Sequence, residues 1–309
     1  MLIKKKKEQF NGKLYITIDT EMDADMNWEK HFPPEFSSVL EGIPNILRPI
    51  WNKYQICPIY FVSPEVLEND MCCIVLRNEV RQGAIIGAHL HPEYIEPEKL
   101  NESYWGKESF PCSAYSREVE KQKIKNLTEL IETKIGVRPA WYRAARFGAD
   151  DDTIKILKEL GYKYDSSLTP GIDWSKIGGQ NHKATPLQSY FIQTENIYDN
   201  VISEGEGSTG IKEFPVTIIG KRFGIFGRLL PEHWLLYKWL RPTHMLYIEE
   251  RKLLRTLRKK EVKDIVMMFH SMEIMIGKTP YVRNILMQKY YIWRLDKTIA
   301  YAGKVGYHS

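Results

Sequence analysis

Short apolar runs that stop at a charged or imidazole side chain recur along this chain. They constrain its fold more than any other feature. KLYITI (13–18) runs into Asp19, and ICPIYFV (56–62) stops at Ser63 and Pro64. GAIIGAHLH (83–91) closes on His89 and His91, WYR on Arg143, and DIVMMFH (264–270) on His270. Each run has the length of a strand. Between them lie stretches with apolar residues at helical spacing. Residues 35–54 carry Phe36, Leu40, Ile43, Leu47 and Ile50; residues 116–135 open on Ser116 and end before Gly136. Further helices are expected after Ser63-Pro64, after Asp150–Asp152 with Gly161 as the stop, from about Leu246, and across 279–302. KEFPVTII (212–219) reads as one more strand. Strands alternating with helices predict an α/β fold with a largely parallel sheet. In a barrel of parallel strands, sites are built on the rim where the strands end.

The length, 309 residues, suits one large α/β domain or two ordinary ones, and a single domain over 1–309 is the expected arrangement. Residues 1–12 read as a flexible basic tail, and 168–212 and 222–260 as insertions or peripheral elements. The net charge of +5 is mild, and no nucleic-acid motif appears, so nucleic acid is not an expected partner. The N-terminal KKKK is not followed by the apolar run of a secretory signal, and no stretch is apolar enough to span a membrane. The expected location is therefore cytoplasmic. Residues 222–260 mix aromatic and basic residues, which suits peripheral contact at the inner face of a membrane. The four cysteines lack CxxC spacing and read as reduced thiols.

The strand ends carry the chemistry. Asp19 and Glu21 are two residues apart, and in a strand that places them on one face. His89 and His91 repeat that geometry. Two imidazoles with one or two carboxylates form the usual shell of a catalytic divalent metal. Arg143 sits among aromatics and needs an anionic partner, which the acidic cluster could supply. His270 ends an apolar strand and so stands at the rim.

In this order the motifs resemble the NodB-homology polysaccharide deacetylases, carbohydrate esterase family four, over roughly residues 13–275. The resemblance implies a distorted (β/α) barrel and a metal-dependent hydrolase, with zinc the expected ion. TIDTE matches the motif TFDDG and puts Asp19 on the catalytic base. Thr20 replaces the second Asp, a metal ligand, and Glu21 fits as its substitute. GAHLHPE matches the HxxxH metal motif through His89. The second ligand position holds Glu93 instead of His, so His91 or Glu93 would complete the shell. RPAWYRAARFG resembles RPxxFRxPxG, which makes Arg143 the group orienting the base. YDSS (164–167) matches a motif at the groove wall. His270 falls on the general acid. These departures resemble an intracellular branch of the family.

The implied reaction removes an N-acetyl group from an amino sugar or sugar conjugate, in surface polysaccharide biosynthesis. Trp105 and Trp174, in polar loop-like stretches, are candidates to stack on a sugar ring. Tyr142 flanks Arg143 and is a further contact candidate. Glu273, one step past His270, could orient it or line the site. Two other readings remain: a cyclic-amide hydrolase on the same scaffold, and a degenerate non-catalytic carbohydrate-binding protein.

Overall fold

A computed structural model describes residues 10–101, 104, 110–175, 179–193, 196–201, 208–221 and 237–309. The first nine residues of the expected basic tail, Trp105, and residues 222–236 lie outside the described residues.

The apolar runs form a curled sheet whose strands are parallel over most of its width. Its central strands are β1 (Gly12–Thr20), β2 (Ile59–Val62), β3 (Ile85–Leu90), β4 (Trp141–Ala144) and β5 (Tyr164–Asp165). β6 (Tyr190–Gln193), β7 (Asn196–Val201) and β8 (Ser208–Glu213) extend it. β9 (Ile218–Lys221) and β10 (Tyr237–Trp239) form a separate antiparallel pair, and β11 (Asp264–His270) lies beside β1. The spatial order is β11-β1-β2-β3-β4-β5-β8-β6-β7, with β6 antiparallel to its neighbours. β12 (Tyr307–His308) pairs with the start of β1.

The gap between β5 and β11 is bridged by the chain after β8. Phe214 N–H donates to the Asp165 carbonyl at 2.8 Å, and Thr217 N–H donates to the Val266 carbonyl at 3.1 Å. The expected strand 212–219 is therefore broken. Pro215 has no N–H to give to a ladder, and the break lets the chain pass from β5 to β11. A distorted, mostly parallel (β/α) barrel results: the alternation of strands and helices predicts the parallel sheet, and the family resemblance implies the barrel.

Parity along the strands sorts the side chains. Leu14, Ile16 and Ile18 pack outwards among the helices, as do Ile265, Met267 and Phe269 of β11. The alternate residues point inwards. Tyr15, Phe61, Trp141 and Phe214 fill the lower barrel, with Trp141 and Phe214 ring centroids 4.8 Å apart. Gly87 lies against this cluster: a Cβ there would stand 2.7 Å from the Phe61 ring. Further up the same inward faces come Thr17 and Asp19, His89, Arg143 and His270. The period of two that makes the lower barrel apolar thus makes the upper rim polar.

Helices cover the outside. Residues 38–47 form a π-helix around Pro44 that continues into α1 (Arg48–Tyr54). After β2 come α2 (Pro64–Leu67) and α3 (Asp70–Arg81). Ser63 precedes Pro64 as expected, but its hydroxyl donates to Glu65 and the Thr20 carbonyl instead of capping the helix. α4 (Arg117–Ile135) has Ser116 as its cap and the left-handed Gly136 as its stop. α5 (Asp151–Glu159) follows Asp150, and α6 (Tyr247–Lys259) starts where expected. The last helix, α7 (Ile285–Lys304), starts six residues later than the apolar pattern suggests. Asn284 accepts from the N–H groups of Leu286 and Met287 and fixes the start there. No described helix is long and apolar enough to cross a membrane, and all four cysteines are free.

Candidate metal centre and active site

β1 carries Asp19 and then Glu21 onto the rim. Arg143, inward-facing on β4, donates from Nη1 to Asp19 Oδ1 at 2.5 Å. The arginine is fully buried and its guanidinium lies 4.3 Å over the Phe61 ring. Its other donors go to the Ser166 carbonyl and hydroxyl, each at 2.8 Å, and to the Thr17 hydroxyl at 3.1 Å. The YDSS segment, expected at the groove wall, instead clamps Arg143 from behind. Burial opposes the Asp19 carboxylate, but Arg143, with His89 and His270, more than offsets it and holds the pKa below the usual range. Asp19 Oδ2 is not engaged by Arg143. It lies 4.0 Å from both His89 Nε2 and His270 Nε2.

Three imidazoles converge on Glu21 Oε1. His89 Nε2 and His91 Nε2 are each 3.1 Å away, and His270 Nε2 is 3.8 Å away. The first two rings are held from behind. His89 Nδ1 lies 3.0 Å from the Arg143 carbonyl, which can only accept, so this nitrogen carries the proton. His91 Nδ1 lies 3.2 Å from Glu93 Oε1, which Arg146 Nη2 also engages at 2.7 Å. Burial opposes the Glu93 charge, but His91 and Arg146 hold its pKa down at about 2, so it is an ionised acceptor. Both Nε2 lone pairs therefore face the centre. His91 Nε2 is buried and makes no hydrogen bond there. Burial disfavours a charged His91, yet the Glu21 carboxylate beside it pushes its pKa up.

This donor set fits a divalent metal. The ligand atoms of Glu21, His89 and His91 lie within 4.8 Å of one another, and all three residues are buried. Two nitrogens and a carboxylate oxygen suit zinc, and the acceptors behind the rings are the usual outer support of such ligands. Glu93 was an alternative ligand from sequence. Its side chain is fully buried and spent on His91 and Arg146, so it stands one layer behind the centre.

His270 sits across the centre from His89. Glu273 Oε1 is 3.1 Å from His270 Nδ1 and accepts from the His270 backbone N–H at 2.9 Å. Arg241 binds the same carboxylate through Nη2 and Nε. Burial again opposes the charge, and Arg241 and His270 hold Glu273 well below the usual carboxylate range. Of the two sequence readings of Glu273, orientation of His270 is the one this geometry supports; the side chain is fully buried and does not reach the cavity as a substrate contact.

A cavity of about 460 Å³ opens over these groups, within the range of small-molecule sites. Asp19, Glu21, His89, His91 and His270 lie in its wall, with Trp28, Phe147, Trp174, Trp239 and Tyr281 as aromatic lining. Trp174 stands where a stacking residue was expected, its ring parallel to Phe147 with centroids 6.3 Å apart. Tyr142 does not. It is one residue from Arg143 and so points to the opposite face of β4, where it is fully buried against Tyr162 and Cys112. Trp105 lies outside the described residues.

Three cations of the cavity wall escaped the sequence reading. Lys30 Nζ lies 2.5 Å from Glu21 Oε2 and leaves Oε1 to face the histidines. Arg241 and Arg146 complete the set. Arg146 and Phe147 both adopt left-handed backbone, with φ of 55° and 54°. Such non-glycine conformations cluster at functional sites, and here both side chains reach the cavity. Each acid of the site thus has its own base: Asp19 with Arg143, Glu21 with Lys30, Glu93 with Arg146, Glu273 with Arg241. The other acids of the first loop are structural. Asp23 accepts from Ser37 and Ser38, and Asp25 from the N–H groups of Asn27 and Glu29.

No protein-family model and no curated protein matches the sequence. Solved structures do match the fold. A protein assigned as a polysaccharide deacetylase from Mycobacterium smegmatis aligns with a TM-score of 0.52 at 16% identity, over 96% of this chain and 87% of its own. An allantoinase aligns with a TM-score of 0.51 at 14% identity, over 97% and 86%. A 4-alpha-glucanotransferase from Thermococcus litoralis reaches 0.52 at 14% identity, over 94% of this chain but 38% of its own. These activities differ, so the shared scaffold does not choose the reaction. The chain has the fold found in polysaccharide deacetylase structures, with a His/Glu cluster at the end of the barrel where that fold gathers its strand termini.

Proposed function

We propose that this protein is a metal-dependent hydrolase that removes an N-acetyl group from an amino sugar or sugar conjugate, within surface polysaccharide biosynthesis and in the cytoplasm. The observation that carries this is the placement of Asp19 Oδ2, ionised and unclaimed by Arg143, between the Glu21/His89/His91 cluster and His270. Glu21, His89 and His91 would hold the metal, and that metal, zinc by its donor set, supplies Lewis-acid activation of a water and of the amide carbonyl.

The remaining steps belong to the chain's own side chains. Asp19 Oδ2 takes the proton of the attacking water. Arg143 keeps Asp19 ionised and fixes its angle through Oδ1. His270 Nε2 gives a proton to the leaving nitrogen, which is too basic to depart as an anion. Glu273 fixes the ring through Nδ1. Trp174 and Phe147 offer flat apolar faces to a sugar ring. The same groups would serve hydrolysis of a cyclic amide.

The test is a panel of N-acetylated sugars, sugar conjugates and cyclic amides, assayed with and without chelator. Acetate release from an acetylated amino sugar, abolished by chelator and restored by zinc, is the expected result. Turnover of cyclic amides alone would assign the second reaction. Stoichiometric sugar binding without any turnover would make this a binding protein.

A further inference from the structure

We propose that the face built by the first turns of α6 and α7 docks on an anionic lipid surface, with the mouth of the active-site cavity beside the membrane. This rests on the surface of these helices and is independent of the reaction.

Position comes first. A helix that follows a parallel strand begins at the end of the barrel where the strand terminates, which is the site end, and α7 follows β11 in this way. α7 begins four residues after Tyr281 and α6 six residues after Arg241, both of which line the cavity. At its other end α7 hands the chain to β12, which pairs with Gly12 at the opposite end of the barrel.

The exposed apolar side chains gather at the site end of these helices. On α7 they are Ile285, Leu286, Met287, Tyr290 and Trp293, with Leu286 74% exposed. Leu246 and Ile248 stand at the start of α6, the latter 59% exposed. Tyr247 joins the two groups: its ring meets Trp293 at 5.3 Å, and Trp293 stacks on Tyr290 at 5.7 Å. Three successive exposed apolar residues at the start of a helix form a patch that scattered surface residues do not make.

Charge selects the occupant. Arg283 and Lys289 flank the α7 patch, and Arg251 and Lys252 follow Ile248 on α6. Arg251 lies over the Tyr247 ring, while Arg294 is buried beneath the Tyr290 ring and donates to the Met245 carbonyl. The nearby acids turn inwards or onto the backbone: Glu250 is buried on Thr298, and Glu249 accepts from the Leu246 N–H. Aromatic and aliphatic side chains ringed by cations match a lipid interface with anionic headgroups. A second copy of the chain fits less well. Two-fold pairing would set this patch against itself and bring its cations face to face.

Flotation of the full chain with phosphatidylglycerol-containing vesicles, and with pure phosphatidylcholine vesicles, tests this at low and raised salt. The expected result is flotation with the anionic vesicles, weakened by salt. Leu286→Glu with Met287→Glu should lower the bound fraction about tenfold or more, with an unchanged circular dichroism spectrum. Lys252→Glu with Lys289→Glu should remove the preference for anionic lipid. Failure of the wild type to float at low salt would overturn the proposal, as would flotation unaffected by the apolar pair. A dimer in light scattering that the apolar pair dissociates, without vesicle binding, would assign the face to a second copy instead.

Discussion

Asp19→Asn is expected to lower turnover of an N-acyl substrate by about 10²–10⁴-fold, the usual effect of removing a positioned proton acceptor. The substitution is nearly isosteric. The amide can still accept from Arg143 Nη1 at the Oδ1 position, and the ring of Phe61 still supports the guanidinium. Metal content should persist, because Glu21, His89 and His91 are untouched. Turnover and metal content measured on one preparation separate the two roles. A variant that keeps most of its activity removes Asp19 from the reaction.

The second large effect is Arg143→Met. Arg143 is fully buried and is the partner of an ionised buried acid. Breaking such a pair leaves an uncompensated charge and typically destabilises by about 3–5 kcal/mol. The sign with pH follows from Asp19. Its folded pKa lies below the unfolded one, so the pair stabilises above the unfolded pKa, and that stability is lost as pH falls through the folded pKa. In the variant the Asp19 pKa rises, so the acid limb of the pH–rate profile should move to higher pH. Urea melts at two pH values and a pH–rate profile check both parts. A stable variant with an unmoved acid limb contradicts the role given to Arg143.

Much of this site was legible in the sequence because strand parity is local. Asp19, His89, Arg143 and His270 could be placed on the rim from where apolar runs stop, and all of them meet there. The same rule, applied to Tyr142, would have turned it away from the cavity, since it alternates with Arg143. The sequence left two acids, Glu21 and Glu93, and His91 competing to complete one shell with His89. Glu93 is removed from it only by Arg146, whose approach depends on a left-handed turn that no spacing reveals. Lys30 and Arg241 were missed for a similar reason. Each pairs with an acid through loop geometry, and one of them from 32 residues away. Helix starts were legible where a cap stood just ahead of the apolar period, as at Ser116. They were misplaced where the apolar pattern began ahead of the cap, as at Asn284.

On the proposed function, Glu21, His89 and His91 together would hold one divalent metal on which hydrolysis depends. Zinc titration of the chelator-treated protein, with His91→Ala and Glu21→Gln beside the wild type, tests it most directly. The expected result is one ion per wild-type chain, a loss of affinity of about 100-fold or more in each variant, and hydrolysis that returns in step with the ion. A wild-type chain that takes up no zinc, or variants that bind it as tightly as the wild type, would contradict the account.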